Sequence, residues 1–447
     1  FFKQKTAYEI PKRDWSSDVC SSDLLDTTVS LGGAWRVAAQ NPALVGVADG
    51  GTGRSVNIDD GDANYYKNDQ FSEAFKITSE FSLKYKNYGF FARGSGLYDV
   101  AVMDMATRRT PLSAAAKDLA GHYVRLLDAF AYGKWEMGQG HPIELRVGKQ
   151  IVSWGESTFI QGGLSGVNPV DVSALRVPGS ELKEAFMPQQ MIKGSMGVSE
   201  NTSLEAFYLI GWRRTEPEAA GTYFSTNDYV SAGGKQVFLG FGGLSDQGTD
   251  FRPLGGQLIP NFQGVPQGPR IDPNDSGQFG FAFRWFLPTL GSGTELSVYF
   301  TNYASHLPLI SGHAGTAAGI ANAAGAATAM EATAQALVAG LPESAAIRVG
   351  TAAGYQAAHA AGGTISAATL GSYATVGANT YLGGGDLAAQ VNSFATHEFA
   401  QTASYFVEYP DNLQTFAVAF NTKPMKHTIE NLTLEQAIEL ASIHSRD

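Results

Sequence analysis

Apolar and polar residues alternate with a period of two in strand-length runs along most of the chain. In the clearest, 278–287, Phe279, Phe281, Phe283, Trp285 and Leu287 fall on one face, and Gln278, Gly280, Ala282 and Arg284 on the other. Next, Leu296, Val298 and Phe300 alternate with Glu295, Ser297, Tyr299 and Thr301. The turn formers of 288–293 join the two runs as a hairpin. Phe75, Ile77, Phe81, Leu83 and Tyr85 alternate with Lys76, Thr78, Glu80, Ser82 and Lys84, and a turn at Asn87-Tyr88-Gly89 leads to a run carrying Arg93. Ile143, Leu145 and Val147 alternate with Glu144 and Arg146, and Ile192, Met196 and Val198 with Lys193 and Ser195. After the turn at 200–202 come Leu204, Ala206, Tyr208, Ile210 and Trp212; Phe416, Val418 and Phe420 form a last run.

These runs last about 9–11 residues, the length of a tilted strand crossing a bilayer. Short turns alternate with long polar connections at 40–70, 99–120, 214–276 and 304–398, the asymmetry of an outer-membrane barrel. The pattern predicts an all-β chain: an antiparallel transmembrane outer-membrane β-barrel over 25–422, incomplete, with its aromatic face toward lipid. Residues 311–390 differ. They are dominated by Ala and Gly, with helical periodicity only around 330–341, and read as an extracellular, partly helical loop insert; a plug in the lumen is the alternative. At 423–447 the pattern breaks again. Thr433 and Gln436 make a capping box, with Leu434, Ile438 and Ala441 on one helical face. This atypical helical tail reads as a truncation, as a second sequence joined to the first, or as a periplasmic helix.

Composition narrows the class. The chain is 44% hydrophobic and 16% charged, too apolar for disorder and too poor in charge for a coiled coil. A net charge of −11 argues against nucleic acid as a partner. No apolar run reaches the roughly 18 residues of a transmembrane helix, whereas the 52 glycines and 11% aromatics suit a barrel. Residues 1–24 have neither apolar periodicity nor a signal-peptide core and resemble a translated sequencing adapter: AAG CAG AAG ACG GCA TAC GAG encodes residues 3–9. A non-native tail of this kind should make no contacts with the rest, and it contains the single cysteine, Cys20, so no disulfide framework or Cys-based zinc site is expected.

Catalytic signatures are missing. The chain has no G-x-S-x-G, G-x-G-x-x-G, P-loop or H-E-x-x-H, and its eight histidines are scattered. The sequence therefore predicts no enzyme, no cofactor and no metal. Asp59, Asp60, Asp62 and Asn64 depart from the EF-hand pattern and read as a solvated loop. Glu181 and Glu184 share a face if helical, and read as solvated charges or a partner for Arg176 rather than an acid–base pair.

The most distinctive stretch is 148–185, GKQIVSWGESTFIQGGLSGVNPVDVSALRVPGSELKEA, which lacks alternation and is rich in Gly, Ser, Asn and Pro. Its two halves, GKQIVSWGESTFIQGG and NPVDVSALRVPGSELKEA, resemble the central signature of the outer-membrane family called domain of unknown function 1302. LDTTVSLGGAWRV at 25–37, LEAFYLIGW at 204–212, GTYFSTNDYVSAGG at 221–234 and EYPDNLQTFAVAFNT at 408–422 match it in order. The resemblance implies a location in the outer membrane of a Gram-negative cell, and uptake or export of hydrophobic or lipid-like small molecules. Family members are longer, and 423–447 departs from them.

The sequence reading is thus a channel or transporter whose partners are outer-membrane lipid, a hydrophobic small-molecule ligand and a periplasmic or inner-membrane transporter component. A structural or adhesin-like surface protein is the alternative, and an outer-membrane hydrolase the second. The lumen-facing charges would be Lys76, Glu80, Lys84, Arg93, Lys193, Glu205, Arg284 and Glu295. Segment 148–185, irregular and charged, belongs inside the barrel or over its mouth. Trp154, Glu156, Asn168, Asp171, Arg176, Glu181 and Lys183 would form the constriction together with Arg93, Lys193 and Arg284.

Overall fold

A computed structural model describes residues 22–138, 140–154, 163–251, 257–259, 261–291 and 293–422. Among them ten strands make one antiparallel sheet: β1 (Ser22–Trp35), β2 (Gln70–Tyr85), β3 (Tyr88–Asp99), β4 (His122–Glu136), β5 (Pro142–Gln150), β6 (Gln189–Ser199), β7 (Thr202–Leu209), β8 (Phe279–Leu287), β9 (Thr294–Tyr303) and β10 (Leu413–Thr422). Each pairs with its sequence neighbours, a pure meander. Tight turns join Tyr85 to Tyr88 and Ser199 to Thr202, and the predicted hairpin joins Leu287 to Thr294. That last turn needs its glycines: Gly291 and Gly293 have φ of 65° and 103°. All the short turns lie at one end of the sheet, and the long connections 36–69, 100–121, 151–188, 210–278 and 304–412 at the other.

The register aligns the apolar positions into rows. Ile143, Met196, Leu204, Phe283, Val298 and Val418 lie side by side across six strands. Phe281 stands beside Phe300, and Phe300 beside Phe416. This face is exposed: Phe279, Phe281, Phe283, Trp285, Val418 and Phe416 all stand open, Phe416 at 69%. The opposite face carries the buried residues, including Lys76, Thr78, Arg93, Ser95, Phe207, Ala282 and Tyr299. No pairing joins β1 to β10 among the described residues, so the sheet is open and not closed into a barrel.

Two expectations change. Ser22, Asp23 and Leu24 extend β1 and pair with Lys84, Leu83 and Ser82, so the sheet begins inside the stretch expected to make no contacts. Ladder hydrogen bonds are made by backbone and are indifferent to side-chain pattern. The Ala/Gly-rich insert is much more helical than its periodicity suggests. It forms α1 (Ala317–Val338), α2 (Glu343–Ala360), α3 (Ala367–Leu382) and α4 (Leu387–Thr402). Glycine penalises an isolated helix, but here it lets helices touch. A Cβ on Gly354 would come within 2.5 Å of Gly325 O and 2.6 Å of Ala329 Cβ, and one on Gly377 within 2.9 Å of Met330 Cα. The core of the array is Ala326, Ala329, Met330, Ala358, Leu370, Tyr373 and Phe394, closed by Phe262 from the connection before β8. Strands Leu309–His313 and Ser404–Glu408 pair antiparallel and tie its two ends together. No helix among the described residues is long and apolar enough to cross a membrane. The expected tail 423–447 lies outside the described residues.

Candidate functional site: a salt-bridged segment on the polar face of the sheet

Residues 163–185 fold into three short helical turns, Gly163–Val167, Val172–Arg176 and Leu182–Ala185. Asp171 caps the second, its Oδ1 accepting from Ala174 N at 3.0 Å. Glu181 and Glu184 form a capping box on the third. The compact segment lies against the buried face at both extremes. Pro178 sits on Gly32 of β1, and Gly166 sits near the hydroxyl of Tyr303 on β9. The segment thus reaches from β1 across to β9, the first and ninth strands of the sheet.

Three charge groups hold it there. Lys76 of β2 pairs with Glu184 and donates to Gly179 O at 3.1 Å, while Thr78 donates to Glu184 Oε1 at 2.6 Å. Arg93 of β3 meets Glu80 at 3.1 Å, Asp128 at 3.3 Å and the carbonyl of Lys183 at 3.5 Å; Lys183 reaches Glu80 at 2.9 Å. Arg125 of β4 pairs with Asp171. Farther along, Glu205 of β7 gathers Lys193 at 2.7 Å, Arg284 at 3.2 Å and the indole N–H of Trp154 at 2.6 Å. Trp154 is buried among Val152, Val167, Phe207 and Tyr299. Asn168 clasps the main chain of Val152 with two hydrogen bonds, at 2.6 and 2.9 Å.

The structure therefore brings Trp154, Asn168, Asp171, Lys183, Arg93, Lys193 and Arg284 to one face of the sheet. Glu156 lies outside the described residues. Arg176 turns away to Glu218 in the connection after β7, at 2.8 Å, and Glu181 is exposed with Lys183 at 3.1 Å. Glu184 is neither solvated nor the partner of Arg176, because Lys76 and Thr78 bury it. Lys84 and Glu295 share the sheet's polar face but stand at its short-turn end. The sequence reading missed Arg125 and Asp128. Their strand breaks alternation where Leu127 and Asp128 face the single residue Arg93 across a bulge.

A second charged cluster lies among the long connections and corrects the expectation of a solvated loop. Asp59 is 0% exposed and Asp60 5%. Arg109 reaches Asp49 at 2.7 Å, Asp59 at 3.5 Å and also Asp246, while Thr110 donates to Asp60. Asp228 accepts from Asp60 N at 3.5 Å. Asp62 pairs separately with Arg36 at 2.6 Å, and Asn64 donates to the carbonyls of Thr110 and Gly221. Burial raises these carboxyls, opposed by Arg109 at Asp59, Asp60 and Asp246: those three are pushed up to about 6, and Asp228 to about 8. No spacing in the sequence joins 59–60 to Arg109 and Asp246; only the fold does.

No curated protein and no solved structure matches the chain. A family model described as a protein of unknown function, DUF1302, matches residues 15–432, nearly the whole length and including both halves of the 148–185 signature. On that match the chain belongs to the DUF1302 family.

Proposed function

We propose that this chain is an outer-membrane β-barrel protein through which hydrophobic or lipid-like small molecules pass, and that segment 148–185 restricts the passage. One observation carries the membrane reading. The sheet exposes Phe, Leu, Val and Trp in continuous rows and buries Lys, Arg and Asp, the reverse of a sheet covered by water. Exposed apolar rows of this extent need lipid or a partner surface. Support for the passage reading is the charged strap itself: it occupies the space beside the polar face, held there by ion pairs to the strands and by the packing of Trp154, Val167 and Val177.

The test uses the full chain in phospholipid vesicles, with entry of a radiolabelled long-chain fatty acid as readout. Replacing 155–180 by a short Gly/Ser linker should speed entry severalfold. Unchanged entry through a folded, vesicle-inserted deletion overturns the restriction. Failure of the intact chain to enter vesicles, with Phe281 and Trp285 remaining accessible to aqueous quenchers and reagents, overturns the membrane reading.

A further inference from the structure

Among the long connections, one cluster of carboxylates has more charge than its surroundings neutralise. Asp59, Asp60 and Asp246 each present an oxygen, and the three oxygens lie within 4.8 Å of one another. That is the spread of ligands around a cation bound at about 2.4 Å, the distance typical of Ca²⁺. Asp49 and Asp228 flank the group, and Arg109 is the guanidinium that reaches it. Asp49, Asp59, Asp60 and Asp246 share one arginine and leave a large negative excess if ionised.

The second observation is an orphaned atom. Asp59 has a fully buried side chain. Its Oδ2 accepts from Gly46 N at 2.7 Å, but its Oδ1 is buried with no hydrogen-bond partner. An unmatched buried carboxylate oxygen is costly and calls for a donor or a cation. Only oxygen ligands are offered, which selects a hard divalent ion over zinc or copper.

We propose that Asp59, Asp60 and Asp246 bind Ca²⁺, with water completing its shell. The ion would join the connection after β1, which holds Asp59 and Asp60, to the connection after β7, which holds Asp246. Arg109, from the connection after β3, would remain on Asp49 and brace the third side. This inference does not rest on the membrane reading.

The experiment takes the purified full chain, stripped with EDTA, and titrates it with Ca²⁺ by calorimetry while following Tm. One Ca²⁺ per chain should bind, and Tm should rise by roughly 2–5 °C at a hundredfold excess over Kd. Asp59→Asn should weaken binding at least tenfold, while Asp272→Asn, in an exposed pair with Arg270, should leave it unchanged. If Asp59→Asn does not fold, Asp246→Asn carries the same expectation. Absence of Ca²⁺ binding in the unaltered chain overturns the site. So does an equal Tm rise with NaCl of matched ionic strength, or unchanged affinity in the folded Asp59 or Asp246 variant.

Discussion

The ten-stranded sheet and the four-helix array differ in what they bury and what they turn outward. The sheet exposes Phe281, Trp285, Phe416 and Val418 and buries Lys76, Arg93 and Asp128. The array buries Ala326, Ala329, Met330, Leu370 and Phe394 and turns Glu331, Gln335, Glu343 and Arg348 outward. Secondary structure does not explain the difference, since either type can point apolar residues either way. The surroundings do. An array of this kind is favourable in water, whereas the sheet's exposed rows would be favourable there only if covered. On the proposed reading, one chain is folded for two solvents.

The comparison breaks first at the buried charges. Lys76→Ala leaves Glu184 buried without its ammonium, and should cost about 3–5 kcal/mol in urea unfolding of the full chain. The double change Lys76→Met with Glu184→Leu should recover most of that loss. A loss below 1 kcal/mol for Lys76→Ala would mean that the strap is not held by this pair. The outer rows come next. Phe281→Arg should destabilise the vesicle-inserted chain by about 2–4 kcal/mol. Ile320→Arg, at a similarly exposed position on the array, should change stability by no more than about 0.5 kcal/mol. Equal effects at the two positions would erase the two-solvent distinction.

Acid should act on the array through His397. Its ring stacks on Phe262 at 4.5 Å, its Nδ1 accepts from Gln263 N at 3.3 Å, and burial pulls it down to about 4. The unfolded chain, near 6.5, takes up its proton first. The contribution is therefore full above about pH 6.5 and is lost as pH falls toward 4, by up to about 3 kcal/mol. The measurement is the helical circular-dichroism melt against pH, and His397→Gln should flatten the slope. Overpacking of the array comes last. Gly354→Val forces α1 and α2 apart and should cost about 1–3 kcal/mol in the same melt.

How much of this could be read from residues alone differs between the same two regions. Most strands announced themselves because they have one apolar and one polar face, as in Phe279 to Leu287, whereas β4 did not, its alternation being broken at the bulge opposite Arg93. The helices did not, because Ala and Gly pack face to face without an apolar stripe. Their punctuation was nevertheless present. Thr316, Ser366 and Asp386 cap the starts, and Gly340, Gly362 and Gly384 follow the ends with positive φ. Of the strap, Asp171 and Lys183 were legible as charges within an irregular stretch. Their partners Arg125 and Glu80 were fixed only by register. Burial of Asp59 was hidden, since it depends on Arg109, fifty residues away, and on Asp246.

The small ladder between Leu309–His313 and Ser404–Glu408 has a bearing on chain entropy and on how the protein could have grown. Closing β9 onto β10 across more than a hundred unstructured residues would cost roughly 2 kcal/mol more in loop closure than a gap of about nine residues. The ladder brings Leu309 beside Glu408, so the gap the hairpin must close is nine residues, 304–308 and 409–412, however many helices hang beyond it. Residues 314–403 then hang as a pendant on a two-stranded stem and pack along one side against the connection before β8. Such a stem lets a lineage lengthen, shorten or exchange the pendant while the register of β9 and β10 stays unchanged. Phe262, the residue that plugs the pendant's core from outside it, is where that freedom would first meet resistance.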